Sequence, residues 1–180
     1  MDTGSDFLRA QLNNAISQHH ALVVSVRDHA EQADDPEYRR ICERHLPGLE
    51  NHQEMLQAYG TSIGSEGGSG LKNILGSALG KARDAVDAMR GTDFLRVVGD
   101  IVLIRQAQDT FATFAIAGER LGDARLAELG RMGEKEHDAV QREFNAFCAD
   151  SFVQHVQGTM ATGRGDRESA SASTSASARM

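Results

Sequence analysis

The chain has 180 residues, 40% of them hydrophobic, which is enough for one domain with a sizeable core. With 19 Lys+Arg against 26 Asp+Glu the net charge is -7, which repels phosphate backbones and anionic lipid and so argues against nucleic-acid and membrane partners. Two Pro, no Trp and a wealth of Ala, Leu, Glu, Arg and Gln favour helix and exclude the composition of an all-β protein.

From Asp6 to Gln32 the residues Leu8, Leu12, Ala15, Leu22 or Val23, and Val26 recur at three- and four-residue spacing, which predicts an amphipathic helix. His19 falls on its apolar stripe, with His20 beside it facing solvent. The pattern breaks at Ala33-Asp34-Asp35-Pro36, where Asp35 can cap a second helix and Pro36 suits its first turn. That helix is expected to run to about Tyr59 and stop at Gly60, with a kink at Pro47. Its stripe reads Tyr38, Ile41, His45, Leu49, His52, Leu56. A two- or three-residue connection forces the two helices antiparallel, so His19 comes level with residue 50, close to His52, and His29 comes near residue 40; a structural His29–His45 pair is expected near the turn.

Residues 61–70, TSIGSEGGSG, read as a Gly/Ser loop; without a Lys-Ser/Thr ending it is a linker and not a phosphate-binding loop. Leu71, Ile74 or Leu75, Ala78, Ala82, Val86 and Met89 then trace a shorter helix ended by Gly91, so that 61–91 forms a crossover. A third helix begins at Thr92 or Asp93 with the stripe Val98, Ile101, Ile104, Gln108, Phe111, Ala115. Gly122 breaks it and Asp123 caps a fourth, whose inward face is Leu126, Gly130, Gly133, His137, Val140, Phe144 and Phe147. Reflection about this second short turn places His137 opposite Gln108.

The expected fold is all-α: a ferritin-like four-helix bundle over residues 1–157, made of two antiparallel hairpins joined by a crossover containing a short helix. Residues 158–180 are rich in Ser and Ala, lack apolar periodicity and are expected to form a disordered tail. Cys42 and Cys148 form no CxxC pair and read as small buried thiols of a reduced, cytoplasmic protein. No basic head with an apolar run opens the chain, and no stretch approaches a membrane span.

The segments AEQADDPEYRRICERHLPGLENHQEML and RLGDARLAELG look like the junctions of helices 1–2 and 3–4 in the ferritin-like YciE/YciF family (domain of unknown function 892). The chain resembles that family over roughly residues 10–150. The resemblance implies a stress-associated bundle, a homodimer, and a dinuclear metal site. Two departures weaken the last expectation. His19 stands where the family would carry an inward glutamate, and Arg105-Gln106-Ala107-Gln108 stands where it would carry a Glu or His pair.

A di-iron carboxylate centre needs about four Glu and two His, with Glu-x-x-His on each of two helices. Glu134-Lys135-Glu136-His137 supplies one such motif, whereas Leu49 occupies the equivalent position before His52. Three imidazoles and one carboxylate suit one divalent ion, Zn or a single Fe, better than two irons: His19, His52, His137 and Glu134 as ligands, with Gln108 behind them. The competing reading is a vacated core in which these side chains hydrogen-bond one another, and the incomplete ligand set favours it. No catalytic residue is identified. The functional expectation is a ferritin-like stress-associated protein with an altered or vestigial metal site; the alternative is a metal-free helical scaffold.

Overall fold

A computed structural model describes residues 4–65 and 92–176, with side chains to residue 158. The crossover helix expected at 71–89 lies outside the described residues, as does most of the expected 61–91 connection. Four helices make up the described chain, with no strand among them: α1 Gly4–Gln32, α2 Pro36–Ser62, α3 Asp93–Leu121 and α4 Ala124–Ala176. The backbone of α4 continues through Gly158, where the tail was expected to begin. None of these helices is long and apolar enough to cross a membrane.

The turns follow the local chemistry expected of them. Asp35 accepts from the backbone N–H groups of Glu37 and Tyr38 at 2.8 and 3.2 Å, satisfying two of the orphan donors of the first turn of α2. Asp123 does the same for Leu126 at 2.9 Å and also accepts from the Tyr59 hydroxyl at 2.7 Å. Gly122 closes α3 in the left-handed conformation, φ 70°, where a side chain would be strained. The second helix, however, runs two residues past the expected stop at Gly60. Gly60 is helical and buried because Leu12 and Ile16 pack against it, and the left-handed residue that follows α2 is Gly64. Helix α2 also continues through Pro47.

Contacts fix the helix directions. His29 meets Tyr38 while Ile16 lies against Gly60, so α1 and α2 are antiparallel. Gly118 lies against Ala127 and Gly130 against Ala115, so α3 and α4 are too. His29 reaches Asp100 near the start of α3, whereas Leu8 shares a groove with Leu121 at its end, so α1 and α3 also run in opposite directions. Two helices therefore point each way, and α2 and α3 are parallel.

The α3–α4 seam is built on glycine. A Cβ at Gly118 or Gly130 would land on the backbone of Ala127 or Ala115, and one at Gly133 on the Phe111 ring. The core divides into two apolar clusters. One, toward the α1–α2 turn, gathers Leu22, Val26, Tyr38, Ile41, Leu49, Ile104, Val140 and Phe144. The other gathers Leu12, Ile16, Leu56, Phe111, Phe114 and Leu126.

One stretch of α3 faces differently from the expected stripe. Val97, Asp100, Ile104 and Ala107 are buried, while Val98 is 38% exposed. The reason is visible in DFLRVVGDIVLI: apolar residues occupy every face, so periodicity cannot choose between them, and the deciding inward residue is an aspartate. Asp100 is fully buried and accepts from Ser25 Oγ at 2.7 Å, from His29 Nδ1 at 2.8 Å and from the Tyr38 hydroxyl at 2.6 Å. This network corrects the expected His29–His45 pair. His45 is half-buried and instead meets Glu143 Oε2 at 2.6 Å. Cys42, fully buried beside Tyr38, has its thiol pushed far up by burial and then by the negative charge of Asp100.

Candidate metal-binding histidine cluster

Between the two apolar clusters lies a layer of imidazoles. His19 on α1, His52 on α2 and His137 on α4 are each no more than 2% exposed and pack edge-on or tilted around the ring of Phe111 on α3. Ring centroids of His19 and His137 are 5.1 Å apart, and those of His52 and His137 are 5.7 Å apart. The structure thus brings together three of the four histidines that the helical periodicity turned inward; the fourth, His45, pairs with Glu143.

Their tautomers follow from their partners. A backbone carbonyl can only accept, so His137 Nδ1 at 2.7 Å from Gly133 O and His52 Nδ1 at 3.0 Å from Gly48 O must both carry hydrogen. Gln53 donates its amide to Ile16 O at 3.3 Å, which turns Gln53 Oε1 toward His19 Nδ1 at 2.9 Å and makes that nitrogen a donor as well. A neutral imidazole has one N–H, so all three Nε2 atoms present lone pairs. Nε2 of His19 and Nε2 of His137 face each other at 3.1 Å, and Nε2 of His52 is buried without a hydrogen-bond partner among the described residues.

Two apposed lone pairs repel unless a proton or a cation lies between them. A proton is disfavoured. Burial first holds His19 down to about 4, partly offset by its bond to Gln53 and deepened by the nearby His52. Burial and then the neighbouring His19 hold His137 down to about 3. Both rings are therefore neutral at pH 7, the form that binds metals. A tetrahedral zinc with Zn–N bonds of about 2.0–2.1 Å separates two nitrogens by about 3.3 Å, close to the 3.1 Å between these two. As they stand, no group of three or more His, Cys, Asp or Glu among the described residues is placed to hold a metal ion. The pair is preformed, and His52 needs a ring movement to bring its bare Nε2 in.

The remaining candidates are elsewhere. Glu134 is exposed on the outer face of α4. The carboxylate beside the cluster is Glu136, 3.6 Å from His52 Nδ1 and lying over Gly48, where any side chain at position 48 would displace it. Gln108 is half-buried, with its amide 3.4 Å from Asp138 Oδ1 and its own Oε1 buried without a partner among the described residues. Sequence reasoning missed Gln53 and Glu136. The Pro47-Gly48 step opposite Glu136 was the available sign of the second; nothing in the spacing distinguished Gln53 from a surface residue.

The depressed pKa values set a pH dependence for the metal-free protein. Both histidines titrate near 6.5 when unfolded and near 4 and 3 when folded, so the unfolded chain binds more protons between these limits. Their contribution is intact above about pH 6.5 and is lost as pH falls, by about 2 kcal/mol per histidine at pH 5. Urea midpoints at pH 7.5 and pH 5 should differ clearly more for the unaltered chain than for His19→Gln/His137→Gln; an equal difference contradicts the assignment.

No family model, no curated protein and no solved structure matches this chain.

Proposed function

We propose that this protein binds a single borderline divalent cation, zinc above all, on Nε2 of His19, His137 and His52, in an altered ferritin-like centre that does not oxidise iron. The observation that carries this reading is the pair of bare nitrogens 3.1 Å apart, with a third bare nitrogen buried nearby. Each ligand ring donates its other N–H to a carbonyl oxygen, the support that fixes ring orientation and raises basicity at metal-binding histidines. The antiparallel hairpins, with α2 parallel to α3, support a ferritin-like bundle, because two parallel helices in succession require one long crossover. Glu136, on the Nδ1 side of His52, is the carboxylate that backs this ligand. One carboxylate falls well short of the about four that a di-iron oxidase uses. Stress association and a homodimer accompany the ferritin-like reading as part of the proposal.

Zinc titration of metal-free protein is the test. One equivalent should bind and raise the melting temperature, and cobalt in its place should give the visible absorption of a tetrahedral ion. His19→Ala and His137→Ala should each abolish binding. Glu136→Gln should weaken it about 10–100-fold, whereas Glu134→Gln should leave it unchanged. Less than about a tenth of an equivalent bound, with no thermal shift, refutes the proposal.

A further inference from the structure

A groove of about 520 Å³ opens between the first half of α1 and the second half of α3, within the range of about 300–1,000 Å³ typical of small-molecule sites. Phe7, Leu8, Phe114 and Leu126 line it, and Phe7 and Leu121 at its mouth are 65% and 69% exposed. One residue in four of the chain is charged, yet none of the lining residues is. Its polar members are amides and hydroxyls, among them Gln18 and Thr110. These two, with Ala15, also border a void of about 10 Å³ that touches His19 and Phe111, room for about one water. The inner end of the groove is therefore one water away from the histidine layer.

The hydrogen bonds at that end set its preference. Gln18 Nε2 donates one of its two hydrogens to Asn14 Oδ1 at 3.3 Å, which leaves one N–H to donate and Oε1 to accept. Thr110 Oγ1 donates its only hydrogen to Gln106 O at 2.8 Å, which leaves its lone pairs to accept. We propose that the groove binds an uncharged amphiphile, its alkyl chain along Leu8 and Phe114 and a hydroxyl at its head accepting from the free Gln18 N–H and donating to Thr110 Oγ1. A carboxylate head could accept from Gln18 but would turn a second acceptor on Thr110, with no counter-charge among the lining residues. A ketone could likewise accept from Gln18 but has no hydrogen for Thr110. This site is independent of the metal reading, since none of its contacts uses an imidazole nitrogen.

The chain has no tryptophan, so Thr113→Trp, at an exposed lining position, supplies a reporter in the full-length protein. Titration with 1-octanol should give a saturable emission change at one equivalent, and 2-octanone and octanoate should bind at least tenfold more weakly. Calorimetry on the unaltered chain should give the same ranking, which keeps the test intact if the reporter itself blocks the groove. Gln18→Glu should weaken octanol at least tenfold without altering zinc binding. No saturable octanol binding, equal binding of the three probes, or indifference to Gln18→Glu overturns the proposal. So does a reporter already shielded from acrylamide without ligand, which would mean that a second copy, seen by light scattering, or residues 66–91 of a monomer fill the groove.

Discussion

Asp100→Ala is expected to cost about 3–5 kcal/mol of folding free energy, the range for removing one partner of a buried charged network. The carboxylate is fully buried, and Ser25, His29 and Tyr38 all donate to it. Alanine would strand three donors contributed by two helices, two of them on the buried His29 and Tyr38, besides leaving a small void. Asp100→Asn keeps the shape but replaces one acceptor oxygen by a donor, and so should cost about 1–3 kcal/mol. Guanidinium denaturation, with the slope checked to be unchanged, measures both. A loss below about 1 kcal/mol for alanine would mean that the three donors find other partners and that the network contributes little.

Gly130→Ala should be nearly as damaging although it adds one methyl group. The new carbon would overlap the backbone nitrogen and Cα of Ala115 and the carbonyl oxygen of Phe111. Backbone atoms cannot rotate aside, so the seam between α3 and α4 has to open along its length. Overpacking of this kind costs about 1–3 kcal/mol in ordinary cores and occasionally more, and a collision with backbone on both residues belongs at the upper end. Opening the seam also moves Phe111 away from His137, whose rings are 4.9 Å apart, so zinc affinity should fall with stability. Gly99→Ala is the control. Nothing lies within 4 Å of a Cβ there, and helix propensity alone should make it stabilising by up to about 1 kcal/mol. Thermal melts that rank both variants alike would contradict this account of the seam.

Much of this could be read from the amino acids, for reasons that differ by element. In α1, α2 and α4 polar and apolar residues alternate with clear helical period, so the faces carrying His19, His52 and His137 were legible. The caps at Asp35 and Asp123 were legible because Asp before a helix has a local job that no tertiary contact overrides. In the first half of α3, with apolar side chains all round, the true inward face was set by what Asp100 meets on α1 and α2. The Glu-x-x-His motif misled for a related reason. It marks Glu134, which shares the helix with His137 but points to solvent, whereas Glu136 reaches the cluster because Gly48 on the facing helix makes room. Such a choice depends on a neighbour's missing side chain, and no spacing within one helix records it.

The buried thiol beside Tyr38 turns the fold into its own clock. Thiolates, not thiols, attack alkylating reagents, and Cys42 is both enclosed and held strongly in its protonated form. Modification must therefore wait for α1 and α2 to part and expose it, while the half-buried Cys148 reacts from the closed state. The rate at which Cys42 is labelled thus counts how often the first hairpin opens, and the slowing of that rate on adding zinc would report, in units of time, how firmly the cation ties α1 and α2 to α4.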